Sequence, residues 1–182
     1  MRTFGVWRFA GKLFFRIFVG SLISLMLSLS VMVFLNNPGG RALCQLLNFS
    51  AAFSLVYSAA WTVGFADRNR VKSGYAKEDP AKGIKAGLLA AVPFMVPSVL
   101  LALSKAGVLT GGFLYVFRLL TPVFFPLYYS LFPASQLISE IGFLSIAVSF
   151  LLPLVFPVIA GAGYFLGYRD TRLSSLVRKA ER

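Results

Sequence analysis

Four stretches of this 182-residue chain, residues 17–35, 43–66, 86–104 and 143–168, are apolar almost throughout and as long as a membrane-spanning helix. A helix needs about 20 such residues to cross the hydrocarbon of a bilayer, and a water-soluble core has no use for runs of that length. Composition agrees: 58% of residues are hydrophobic and 13% are charged, where a soluble domain carries about 25% charged residues. The expected fold is an all-α integral membrane protein, a single domain over residues 1–182.

A fifth stretch, 113–132, has the length but carries Arg118, Pro122 and Pro126. Basic residues arbitrate whether it crosses, because Lys and Arg gather in the cytoplasmic loops. Four crossings put residues 1–16, 67–85 and 169–182 on one side with fifteen Lys and Arg, against three (Arg41, Lys105, Arg118) on the other. Five crossings give ten against eight. The expectation is therefore four transmembrane helices, with residues 105–142 forming an outer-side excursion, re-entrant or interfacial, between the third and the fourth. Its aromatic residues, among them Phe117, Phe124, Tyr128 and Phe132, suit a membrane interface. Irregular backbone at that depth must pack on the bundle. The expected location is the plasma (inner) membrane, multi-pass, with both termini cytoplasmic.

Local signals refine this threading. Arg8, Lys12 and Arg16 recur every four residues, which predicts a basic interfacial helix over 1–16 with Phe4 and Trp7 on its other face. The 19-residue apolar run that follows exceeds the roughly 7–15 residues of a signal-peptide core and reads as a retained anchor. Residues 36–40, Asn-Asn-Pro-Gly-Gly, predict a tight turn. Asp79 and Pro80 predict a helix start, with Asp79 as N-cap. In the tail, Leu173, Leu176 and Val177 have helical spacing.

Three proline pairs share a spacing of four: Pro93/Pro97, Pro122/Pro126 and Pro153/Pro157. A proline in a helix withholds its N–H and frees the carbonyl four residues earlier. Bends are expected in the third and fourth spans, with the freed carbonyls satisfied by Ser98, Ser149, water or a neighbouring helix. Two such bends would open a concave pocket on the outer side, which the excursion fills or gates. Gly163 and Gly167 should let the fourth span pack closely beyond its bend.

Chemistry-bearing residues are scarce. The chain has six acidic residues, none in the middle of a span, one cysteine (Cys44) and no histidine. Neither a metal-ligand set nor a phosphate-binding loop is visible, so no enzyme and no cofactor is expected; Asp67, Glu78 and Asp79 make only a weak pattern for a lipid-modifying enzyme. The basic residues lie between apolar runs and not on a soluble face, which argues against nucleic acid. It favours anionic headgroups at the inner face, at about 1 kcal/mol per residue, or an acidic cytoplasmic partner.

Polar residues inside the spans form stripes. Ser50, Ser54, Ser58 and Thr62 recur every four residues on the second span, and Gly20, Ser24 and Ser28 on the first. Such stripes either form the helix–helix seam of the bundle or line a hydrated path or substrate groove. Arg118 and Glu140 either pair across the excursion, or Arg118 contacts an anion, or Arg118 snorkels to headgroups. These features predict a non-enzymatic polytopic membrane protein, an accessory or scaffold subunit that binds membrane or cytoplasmic partners. The alternative is a small transporter or permease for a neutral or apolar solute, with Pro93, Pro97, Pro153 and Pro157 shaping its site.

Overall fold

The computed structural model describes residues 5–75, 77, 79–109, 113–132 and 138–170, and all regular structure among them is helical. Phe4, Glu78 and the tail residues Leu173, Leu176 and Val177 lie outside the described residues. Four helices are long and apolar enough to cross a membrane: α1 (Val6–Ser30), α2 (Pro38–Lys72), α3 (Lys82–Lys105) and the Phe143–Tyr168 segment. That last segment is divided into α6 (Phe143–Leu151) and α7 (Val155–Tyr168) by a 3-10 turn, Leu152–Leu154. Between α3 and α6 lie two short helices, α4 (Phe113–Leu120) and α5 (Phe125–Leu131), joined by a 3-10 turn at Pro122–Phe124 and bent by 93°.

The four long elements form a ring in which α1 packs on α2, α2 on α7, α7 on α3 and α3 back on α1. Only 28 to 39% of the most apolar window of each is buried. Many large apolar side chains of these helices are exposed, the reverse of a soluble bundle, and the architecture is that expected of a multi-pass membrane protein. The short helices lie across one end of the ring: α4 against α3, the Pro122–Phe124 turn against α1 and α2, and α5 against α2. We call this the excursion end. The opposite end, where residues 73–81 join α2 to α3, is the loop end.

Several boundaries differ from the sequence expectation. Residues 6–30 form one helix, with no break near residue 16 where the expected span begins. Phe9, Leu13 and Ile17 are buried on one continuous face, and basic residues on the flank do not interrupt helical hydrogen bonding. Trp7 is exposed and Phe9, not Trp7, anchors the first turn. Residues 36–40 are no free-standing turn, because Pro38 opens α2 directly after Asn37, the position where a missing N–H costs nothing. Helix α3 starts at Lys82, two residues past Pro80, with the Lys82 N–H donating to Asp79 O at 3.2 Å.

At the loop end, α2 and α7 meet backbone to backbone. A Cβ on Gly64 would collide with the Tyr164 carbonyl, and one on Gly167 with the Trp61 carbonyl. The expected close packing at Gly163 and Gly167 is present: a Cβ on Gly163 would stand 2.9 Å from Tyr57 O. Helix α3 approaches α7 in the same way, Gly87 lying against Pro157. At 35 residues, α2 is about 52 Å long, so it outreaches a hydrocarbon core of about 30 Å.

Candidate functional site

The polar chemistry of the bundle is concentrated at its two ends. At the excursion end the helical hydrogen bonding is interrupted at several prolines, and side chains of neighbouring helices meet the groups freed at Pro153, in the Pro122–Phe124 turn and at Pro126. Pro153 frees the Ser149 carbonyl, since it lacks the N–H that would bond there. That carbonyl accepts from Ser98 Oγ at 2.9 Å and from the Tyr128 hydroxyl at 3.4 Å. Ser98, Ser149 and Tyr128 are all fully buried. An unmatched carbonyl in such a place would cost about 1–3 kcal/mol, and donors from α3 and α5 match this one where the 3-10 turn interrupts the fourth span.

The break in the excursion is repaired by Gln45. Its amide donates to Val123 O at 2.8 Å and accepts from the Leu127 N–H at 3.0 Å. Val123 and Leu127 are four residues apart and would bond each other in a regular α-helix; the amide of α2 is inserted between them. One turn along α2, Asn48 Nδ2 donates to Ser28 Oγ at 2.9 Å and to Pro122 O at 3.4 Å, the carbonyl that Pro126 frees. Asn48 thus ties α1, α2 and the excursion together.

Three cations complete this end. Arg118 is buried, donates to the Phe132 carbonyl and lies 5.7 Å from the Tyr129 ring. Lys105 donates to Ile141 O and sits 4.3 Å above the Phe143 ring. Arg41 donates to Ser130 Oγ at 3.2 Å. Arg41, Lys105 and Arg118 are the three basic residues that positive-inside bookkeeping leaves on the minority side. All three hold the C-terminal part of the excursion, where helix-end carbonyls carry partial negative charge. Arg118 does not snorkel; it points inward, while Glu140 is exposed at the end of the 3-10 turn Ile138–Glu140.

The concave space expected between the third and fourth spans is filled. Phe124 packs its ring 5.8 Å from Phe156 and 5.7 Å from Phe49, and Phe94 lies 6.1 Å from Phe156. The void left between Ser21, Phe94, Thr121 and Phe156 measures about 10 Å3, room for at most one water. Helix α3 runs through Pro93 and Pro97 as one helix, with Pro93 exposed and Pro97 buried. Pro153 and Pro157 are buried, and a 3-10 turn marks the break at Pro153.

At the loop end Asp67 is buried and holds three helices. Lys82 Nζ of α3 pairs with its Oδ2 at 2.5 Å, and the Tyr164 hydroxyl of α7 donates to the same oxygen at 3.2 Å. Arg70 stands 3.7 Å from Oδ1. Near the chain's surface Arg68 pairs with Asp170 at 2.5 Å, tying α2 to the end of α7. The Asp67 and Lys82 side chains are 7% and 12% exposed, and removal of one partner from a pair that buried costs about 3–5 kcal/mol. Among the described residues no three His, Cys, Asp or Glu side chains converge as a metal-ion site.

The two stripes behave differently. Gly20, Ser24 and Ser28 are buried; a Cβ on Gly20 would meet Ala52 Cα at 3.0 Å. On α2, by contrast, Ser50, Ser54, Ser58 and Thr62 are all exposed, so they are not part of the bundle seam. Their hydroxyls donate to carbonyls of their own helix, at Leu46, Ala51, Leu55 and Ser58, over 2.7–3.1 Å. The inward face of α2 is Asn48, Ala52, Val56, Ala60, Gly64 and Asp67. Asp67 and Gln45 are the residues whose roles sequence reasoning missed. The signals available were a carboxylate one turn past Gly64, and two amides, Gln45 and Asn48, three apart in an apolar run. No protein family, curated protein or solved structure matches this chain.

Proposed function

We propose that this chain is a non-enzymatic subunit of a membrane assembly, which receives a transmembrane helix of a partner on the outward face of α2. The observation that carries the reading is the exposed row Ser50, Ser54, Ser58 and Thr62. Small side chains with internally satisfied hydroxyls let a second helix approach closely and cost little to bury, and the chain's own fold makes no use of them. The filled interior gives less support to the alternative, a permease for a neutral or apolar solute at the proline bends.

Site-directed crosslinking in native membranes tests this. With Cys44 replaced by Ala, Ser54→Cys and Ser58→Cys should give a discrete crosslinked product with a short bifunctional maleimide. Val92→Cys, on the exposed face of α3, should not. Ser54→Leu should erase the product formed at Ser58→Cys while the isolated chain unfolds as before, within about 0.5 kcal/mol. Equal products at Ser54 and Val92 would sink the proposal.

A further inference from the structure

A groove of about 520 Å3 runs down the excursion end between the first turns of α2 and α5, lined by Arg41, Leu46, Phe49, Pro126, Leu127 and Ser130 among others. That size falls within the roughly 300–1,000 Å3 of ligand sites. Its chemistry is graded along α2. Arg41 lies near the start of the helix, and Leu46 and Phe49 lie deeper; Arg41 to Phe49 spans about 12 Å of helix axis. Gln45, the other polar side chain on that wall, is occupied by Val123 and Leu127.

The mouth of the groove is positive in two independent ways. Arg41 gives one nitrogen to Ser130, while its Nε is buried with no protein partner. The first turn of α2 contains no acidic residue, and Asn37 makes no side-chain cap to it. Space is open around Gly39, with nothing within 4 Å of where a Cβ would stand. An uncapped helix start offers free N–H donors and the positive end of the helix dipole. No acidic side chain lines the groove to compensate.

We propose that this groove binds one anionic phospholipid, its phosphate at Arg41 and the first turn of α2, and an acyl chain along Leu46, Phe49 and Leu127. The polar end lies at the helix terminus and the apolar wall runs toward the bundle's middle, the direction in which a lipid stands in its leaflet. A free inorganic anion would leave the apolar wall unused, and a zwitterionic lipid would bring its own cation to a positive mouth. The proposal goes beyond the helix-docking reading and uses none of its residues, so either can fail alone.

Native mass spectrometry of the purified, delipidated full chain tests it, with dioleoyl phosphatidylglycerol and dioleoyl phosphatidylcholine titrated in parallel. One phosphatidylglycerol should be retained per chain, with phosphatidylcholine bound about tenfold more weakly, a difference of about 1.4 kcal/mol. Arg41→Ala should abolish that preference and Arg41→Lys should keep part of it. Leu46→Trp, at a position already exposed, should fill the groove and weaken both lipids. Ser130→Ala breaks the same α2–α5 contact as Arg41→Ala but keeps the charge, so it should retain the lipid. The proposal is overturned by equal retention of the two lipids, by full binding to Leu46→Trp, by loss in Ser130→Ala equal to that in Arg41→Ala, or by displacement with millimolar inorganic phosphate.

Discussion

The two ends of the bundle solve opposite problems. At the loop end the helices are regular, and they are drawn together until backbone touches backbone: Gly64 on Tyr164, Gly167 on Trp61, with the Asp67–Lys82 pair locking α2 to α3. At the excursion end large rings pack between the helices, and prolines interrupt their hydrogen bonding. Polar side chains from neighbours supply there what the helices no longer supply to themselves. Lipid offers no hydrogen bonds to a freed carbonyl, so irregularity at that depth requires a dedicated partner, whereas regular helix requires only small side chains. The two ends should therefore differ in what they tolerate. The loop end should fail on volume, and the excursion end on unmatched polar groups.

The largest effect should come from volume at the loop end. Gly64→Ala places a methyl against the Tyr164 carbonyl, which is backbone and cannot swing aside. Overpacking typically costs about 1–3 kcal/mol, and a clash with backbone on the α2–α7 seam belongs at the top of that range, about 3 kcal/mol. Reversible unfolding in mixed micelles would measure it. The same Gly→Ala change at Gly39, where space is open, should cost less than about 1 kcal/mol; equal losses at both sites would erase the distinction between the ends.

At the excursion end, Gln45→Leu keeps the volume and removes both hydrogen bonds of the inserted amide. Val123 O and the Leu127 N–H are then left facing a leucine, and the expected loss is about 2 kcal/mol. Amide exchange at Leu127 should accelerate in step with it. If Pro122–Phe124 instead relaxes so that Leu127 bonds Val123 directly, stability will be nearly unchanged and the 93° bend will open. That outcome would show that Gln45 imposes the bend and does not merely tolerate it.

Much of this architecture was legible in the sequence, and the failures have physical causes. The four spans were plain because hydropathy is a property of the chain alone, and bilayer thickness fixes the length required. The repair of Pro153 by Ser98 was within reach, since a proline names the carbonyl it frees. The sequence could not say which way the α2 stripe faces, because Ser and Thr at a spacing of four look the same whether they face a helix or lipid. Either way their hydroxyls bond one turn back. The true inward face, Ala52, Val56 and Ala60, is indistinguishable in sequence from any apolar run. Asp67 was hidden for a related reason. Its burial depends on Lys82, fifteen residues on, and Tyr164, ninety-seven residues on, and no local pattern announces contacts at such distances.

The smallest effect is expected at the break in the fourth span. Ser98→Ala removes the shorter of two hydrogen bonds to the Ser149 carbonyl, 2.9 Å against 3.4 Å for Tyr128. With Tyr128 still in place the acceptor is not abandoned, so the loss should be about 1 kcal/mol. Tyr128→Phe alone should likewise cost about 1 kcal/mol, because its ring still packs on Phe117 and Phe124. The double substitution leaves a buried carbonyl with neither donor, and its cost should exceed the sum of the singles by about 1 kcal/mol. Strict additivity would mean that Ser149 finds another donor, and that the 3-10 turn at Pro153 is held by ring packing alone. The excursion end would then obey the same rule of volume as the loop end.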